Sequence, residues 1–159
     1  GGSKILSLGG YSMLRVQIIS EEAFQTLIIS RPLIEYNQDS SDRIQADRLL
    51  RSLGQKPALH TSVSTSYLVV GLVSQLDGWS LIPPFNLWAA GLSSSEVDFY
   101  PIPGRSLTRT YWMVRKQIRN HALSQLVGEI TKKVLTERFL VKMERQLPGL
   151  SRFIHVPGK

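Results

Sequence analysis

Residues 57–84 read PALHTSVSTSYLVVGLVSQLDGWSLIPP, and the fold turns on how this stretch is parsed. Ala58–Thr61 reads as a buried strand, followed by a Ser/Thr-rich turn. Ser66–Leu76 reads as a helix, because Leu68, Val69, Leu72, Val73 and Leu76 follow the three- and four-residue steps of a face packed on a sheet. Gly71 costs such a helix about 1 kcal/mol relative to Ala, so a close backbone approach is expected there. Asp77-Gly78 ends the helix. Trp79–Ile82 is too short for a buried helix and lies between Gly and Pro, which makes it a second buried strand. The unit is therefore βαβ, and open α/β sheets place ligand sites at the carboxyl ends of such strands.

Toward the N-terminus, Pro32–Tyr36 reads as a further strand and residues 37–41 as the loop after it. Ser41 or Asp42 then caps a helix reaching about Leu53, with Ile44, Leu49, Leu50 and Leu53 as its apolar face and Gly54 past its end. Ser20 opens an S-E-E helix start running to about Ile28, with Glu21 and Glu22 where the helix dipole favours anions. Ile5–Leu8 suits a short strand, and Leu14–Ile18 alternates like a half-buried one. Gly1-Gly2-Ser3 resembles a tag or linker, with no initiator Met, which suggests a piece of something longer.

Toward the C-terminus, residues 85–92 suit a short helix or turn and Ser93–Ser95 a surface loop. Val97–Ile102 alternates and stops at Pro103-Gly104, and Thr108–Val114 is the most β-prone run in the chain. The longest element is a helix from about Ala122 to Arg145, with Leu123, Leu126, Val127, Ile130, Val134 and Leu135 as its inward stripe. Pro148-Gly149 ends it, and a loosely held tail to Lys159 is expected.

A chain of 159 residues forms one domain or a large part of one. Cysteine is absent, which removes disulfides, thiolate ligands and thiol nucleophiles. No apolar run approaches the roughly 20 residues of a membrane span. The net charge of +7 is uneven: residues 1–100 balance at −2 and residues 101–159 at +9. Such asymmetry marks either a solvated basic helix face or a nucleic-acid or acidic-partner surface. His60, His121 and His155 lie far apart, and His60, on the buried strand, reads as a satisfied core histidine. No H-E-x-x-H, G-x-S-x-G or Walker pattern occurs. An enzyme is not expected, nor a metal set, a cofactor or a catalytic residue.

The order of elements resembles the C-terminal effector-binding part of LysR-type transcriptional regulators, mainly its second regulatory half-domain. Pro32–Tyr36 with the helix ending at Leu53-Gly54 is similar to the family's "PLI… helix… G" segment. Leu72–Pro83, LVSQLDGWSLIP, is similar to its "LVAAGLGIALLP" signature, with Leu76 in place of the first glycine and Gly78 in place of the second. Val97–Pro103 and the strand ending YWMVRK resemble its paired late strands, and the final amphipathic helix matches its last one. Residues 1–19 do not match the family's opening strand.

The resemblance implies an α/β, three-layer, periplasmic-binding-protein-like (type 2) half-domain with a mostly parallel sheet and a long C-terminal helix. It divides the chain into residues 1–19 (tag or linker and unmatched segment), 20–120 (effector-binding half-domain), 121–147 (the long helix) and 148–159 (a flexible tail). It implies a cytoplasmic bacterial regulator in which a small-molecule effector, with an organic anion as a candidate, binds between two half-domains. DNA would be contacted only through a winged helix-turn-helix domain absent from this chain. The effector would meet the turn Ser64-Thr65-Ser66 and the strand ends at Tyr36-Asn37 and Pro83-Phe85, with Arg105 and Arg109 in reach. Each has a plainer reading: one of the three hydroxyl residues caps its own helix, and Tyr36 and Phe85 rim the core. With the first half-domain missing, the last helix would be partly uncovered and would favour a homo-oligomer. Two rivals stand beside this reading, a small basic nucleic-acid-binding module and a ligand-free protein interaction domain.

Overall fold

The computed structural model describes residues 4–7, 19–57, 59–91, 97–104 and 121–156. Five short strands form one sheet: β1 (Lys4–Ser7), β2 (Leu33–Tyr36), β3 (His60–Val63), β4 (Trp79–Ile82) and β5 (Asp98–Pro101), in the order β3-β2-β4-β1-β5. Every paired neighbour is parallel. Parallel pairing needs a crossover, and helices supply it: α1 (Glu21–Ser30), α2 (Ser41–Ser52), α3 (Ser66–Gln75) and α4 (Pro84–Ala89).

The alternation of side chains along a strand sorts the core into two layers. Leu33, Trp79 and Leu81 face α1 and α2, meeting Phe24, Leu27, Ile28, Ala46, Leu49 and Leu50. Ile34, Tyr36 and Ile82 face the other way, toward Val69, Val70 and Val73 of α3, Leu87 of α4 and Met143, Leu147, Leu150 and Phe153. β2 and β4 are thus buried on both sides, a middle layer between helices. From β2 the chain steps outward to β3 over α2, then returns over α3 to the far side of β2. The strand order therefore reverses between β2 and β4, where α/β sheets open a crevice at their carboxyl ends.

Three helix starts, those of α1, α2 and α3, are capped by hydroxyls. Ser20 accepts from the Ala23 N–H, Ser40 from the Asp42 and Arg43 N–H groups, and Thr65 from the Leu68 N–H. Ser40, not Ser41 or Asp42, caps α2, because its extended backbone is what lets a side chain turn back onto the first N–H groups. On α2, Ile44 is exposed while Ala46, Leu49, Leu50 and Asp42 are buried.

Several expectations are corrected. The strand read at Ala58–Thr61 is found at His60–Val63, on the sheet edge, where its ladder with β2 pairs Leu33 with His60. Being an edge strand with His, Thr and Ser side chains, it is exposed rather than buried, and His60 is a surface residue. The buried stripe of α3 is Val69, Val70 and Val73; Leu68 and Leu76 are exposed. Residues 67–73 are apolar at every position but Gly71, so spacing alone could not choose the face. At Gly71 a Cβ would meet nothing within 4 Å among the described residues, and no contact there explains this glycine. Residues 150–153 are no loose tail: Leu150 and Phe153 are buried in the α3-side core.

The last helix runs as α5 (His121–Val134), one π-helical turn (Leu135–Phe139) and α6 (Leu140–Gln146). A π turn inserts one residue, re-aiming the following face by about 100°. Met143 and Leu147 stand on a different face from Leu123, Leu126, Val127 and Ile130 by helical spacing alone, so the exposed stripe does not continue into the docked one. Val134 and Leu135 are half-buried, α5 has no buried residue, and that first stripe is 43–56% exposed. The strands read at Leu14–Ile18 and Thr108–Val114 and the loop at Ser93–Ser95 lie outside the described residues.

Candidate ligand-binding site

At the carboxyl end of the sheet, β2, β3 and β4 finish side by side. The Asn37 N–H donates to the Val63 carbonyl at 3.1 Å, the last rung between β2 and β3. Residues 64–66 then turn into α3, while Pro83, with its fixed φ, ends β4 and leads straight into α4. The polar bend and the proline stop thus share one end of the fold.

Side chains join these pieces. The Tyr36 and Ser66 hydroxyls share a hydrogen bond of 2.8 Å. The Asn86 amide, on the first turn of α4, donates to the Tyr36 hydroxyl at 3.2 Å and to Asp42 Oδ2 at 3.1 Å. One chain of polar groups therefore runs from the N-terminus of α3 across the end of β2 to α4 and the first turn of α2. A helix start adds outward N–H groups and the positive end of its dipole, which favours an anion.

Of the residues named from sequence, the structure brings Tyr36 and Ser66 together. Thr65 caps α3 and Ser64 is exposed beside it. Asn37 is exposed at the end of β2, Pro83 is buried at the end of β4, and Phe85 packs against the α3-side core. Capping therefore falls to Thr65 alone, leaving the Ser66 hydroxyl on Tyr36. Arg105 and Arg109 lie outside the described residues. Asn86 and Asp42 were missed. Asn86 sits three residues past the proline stop, which puts it on the first helical turn facing the site. Asp42 was considered only as a cap.

A second polar cluster lies on the α2 face beside the edge strand. Glu35, in the middle of β2, is buried, and its Oε2 lies 3.1 Å from Arg43 Nη1 and 3.5 Å from His60 Nδ1. Arg43 also donates from Nε to Asp47, at 3.0 and 3.2 Å. Burial pushes the Glu35 carboxyl above the usual glutamate range and Asp47 adds to this, while Arg43 and His60 oppose it. The cluster opens to a depression of about 490 Å³, lined also by Arg51 and Lys56. Among the described residues, no group of three or more His, Cys, Asp or Glu is placed to hold a metal ion. Nor is any helix there long and apolar enough to cross a membrane.

A parallel sheet with helices on both faces, with hydroxyls, an amide and a helix start gathered at its switch point, is an α/β domain of the kind whose ligands bind at that end. Residues 27–135, more than half of the chain, match the LysR substrate binding domain, and the chain belongs to that family. It is thus an effector-binding domain of LysR type, a domain of transcription regulators. No curated protein and no solved structure gives a significant match.

Proposed function

We propose that this chain senses a small organic anion for a cytoplasmic bacterial regulator of LysR type, and that the anion lies at the ends of β2, β3 and β4. Ser64, Ser66 and the start of α3 would take its charged group. Tyr36, Asn37, Pro83 and Phe85 would line the remainder, with Thr65 holding the turn. The observation that carries this reading is the Tyr36–Ser66 hydrogen bond, continued through Asn86, which fixes three separate elements around one point. Ligand filling that point would change the angle to a second half-domain, and DNA would be contacted by a different domain. This reading includes no catalytic step.

The test is a thermal-shift screen of small organic acids. A ligand that raises the melting temperature of the chain should lose most of that effect in Ser66→Ala and Tyr36→Phe, each of which removes one hydroxyl worth about 1 kcal/mol of stability or less. A flat screen favours the interaction-domain reading. DNA retention that weakens steeply with salt favours the nucleic-acid reading instead.

A further inference from the structure

The guanidinium of Arg43 meets more acceptors than it has hydrogens pointing their way. It stands on the first turn of α2 with only 11% of its side chain exposed. Its Nε hydrogen is divided between the two Asp47 oxygens. The two hydrogens on Nη1 go to the Tyr36 carbonyl at 3.1 Å and the Ser62 hydroxyl at 3.2 Å. Glu35 Oε2, 3.1 Å from that same nitrogen, is paired in charge yet accepts no hydrogen bond among the described residues. Tyr36 closes β2, and Ser62 stands one residue from the end of β3, two before Ser64. A single side chain therefore bridges the two strand ends from which the proposed site is built, beside the backbone rung between Asn37 and Val63.

We propose that Arg43 is the positioning residue of the turn Ser64–Ser66, and that Glu35 beneath it makes the turn respond to protonation. Ionised Glu35 competes with Tyr36 and Ser62 for Nη1. Protonated Glu35 drops out of that competition, and both strand-end contacts tighten. The charged groups around Glu35 are Arg43 and Asp47 from α2, His60 from β3, Arg51 and Lys56 at the rim of the depression, and Asp42 on the first turn of α2. Burial favours the protonated carboxyl, so the exchange falls on the neutral side of the usual glutamate range. That the turn binds ligand rests on the function proposed above; the coupling of turn to carboxyl does not.

The experiment follows amide resonances of Ser64, Thr65 and Ser66 against pH in the 159-residue chain without any ligand, so a failed ligand screen leaves it intact. All three should move on one curve shared with the Glu35 carboxyl. Glu35→Gln should flatten that curve. Arg43→Gln should flatten it while Glu35 still titrates, and Arg43→Lys should not restore it, because an ammonium lacks the planar fork that reaches these acceptors. Ser62→Ala, at an exposed position, removes one strand-end contact and should shrink the amplitude even if the Arg43 variants do not fold. The proposal is overturned if the turn ignores pH, if its curve survives Arg43→Gln, or if Ser62→Ala leaves the amplitude unchanged. It is equally overturned if the curve follows the His60 ring or vanishes with Asp47→Asn rather than Glu35→Gln.

Discussion

Gly78 and Gly71 stand seven residues apart and serve opposite physics. A Cβ on Gly78 would lie 2.8 Å from the Pro32 carbonyl, the same oxygen that accepts from the Trp79 N–H at 3.0 Å. Leu76, which stands where the resembled signature has its other glycine, is exposed with an ordinary φ of −96° and makes no such demand. The left-handed residue at this turn is Asp77, with φ 50°, which Arg31 holds by an ion pair and by a hydrogen bond to its carbonyl. Gly78→Ala should therefore destabilise by about 1–3 kcal/mol, as overpacking against backbone does. Gly71→Ala, in open space on a helix, should stabilise by about 0.5–1 kcal/mol. Urea unfolding midpoints of the two variants should move in opposite directions. Glu144 supplies a pH prediction. Partial burial pushes its carboxyl up, but hydrogen bonds from Ser151 and Gly149, with Arg152 nearby, outweigh this and bring it below the usual range. A lowered value in the fold means its stabilisation is present above the usual glutamate range and is lost as the pH falls below it. Glu144→Gln should thus cost stability at neutral pH, and the gap to the parent should close in acid. Melting temperatures across pH check this.

Among the elements, those legible in the sequence were the ones with hard boundaries. Trp79–Ile82 lies between Gly78 and Pro83, and α1 begins at a Ser-Glu-Glu start; β4 was placed to the residue and α1 at its first residue. What escaped was orientation. The apolar run at the start of α3 gave no periodic signal for its buried face, and the edge strand was read two residues early, at Ala58–Thr61, because an exposed edge strand need carry no apolar residue. Site residues split in the same way. The polar bend before α3 was visible as hydroxyls at a helix start, and Tyr36 as a strand end. Asn86 and the burial of Glu35 were not, because each depends on a neighbour distant in sequence: Asn86 on Tyr36 and Asp42, Glu35 on Arg43 and His60. The π turn in the last helix leaves no mark in the sequence either, though it lies between the exposed α5 stripe and the docked Met143.

Across the whole molecule, the strand order and the two core layers put every carboxyl strand end on one side, and that geometry gives the family assignment its physical sense. The same architecture leaves the α5 stripe of Leu123, Leu126, Val127 and Ile130 substantially exposed. Sedimentation over a range of concentrations should show self-association, and Ile130→Glu should weaken it; a concentration-independent monomer mass would count against the oligomer. The central claim concerns the end of the sheet, and mapping amide resonances with a hit from the organic-acid screen tests it most directly. The account predicts that the largest shifts fall on Tyr36, Asn37, Ser64, Ser66 and Asn86, saturating together at one affinity. Shifts confined to the opposite ends of the strands, or to the α5 stripe, would contradict it.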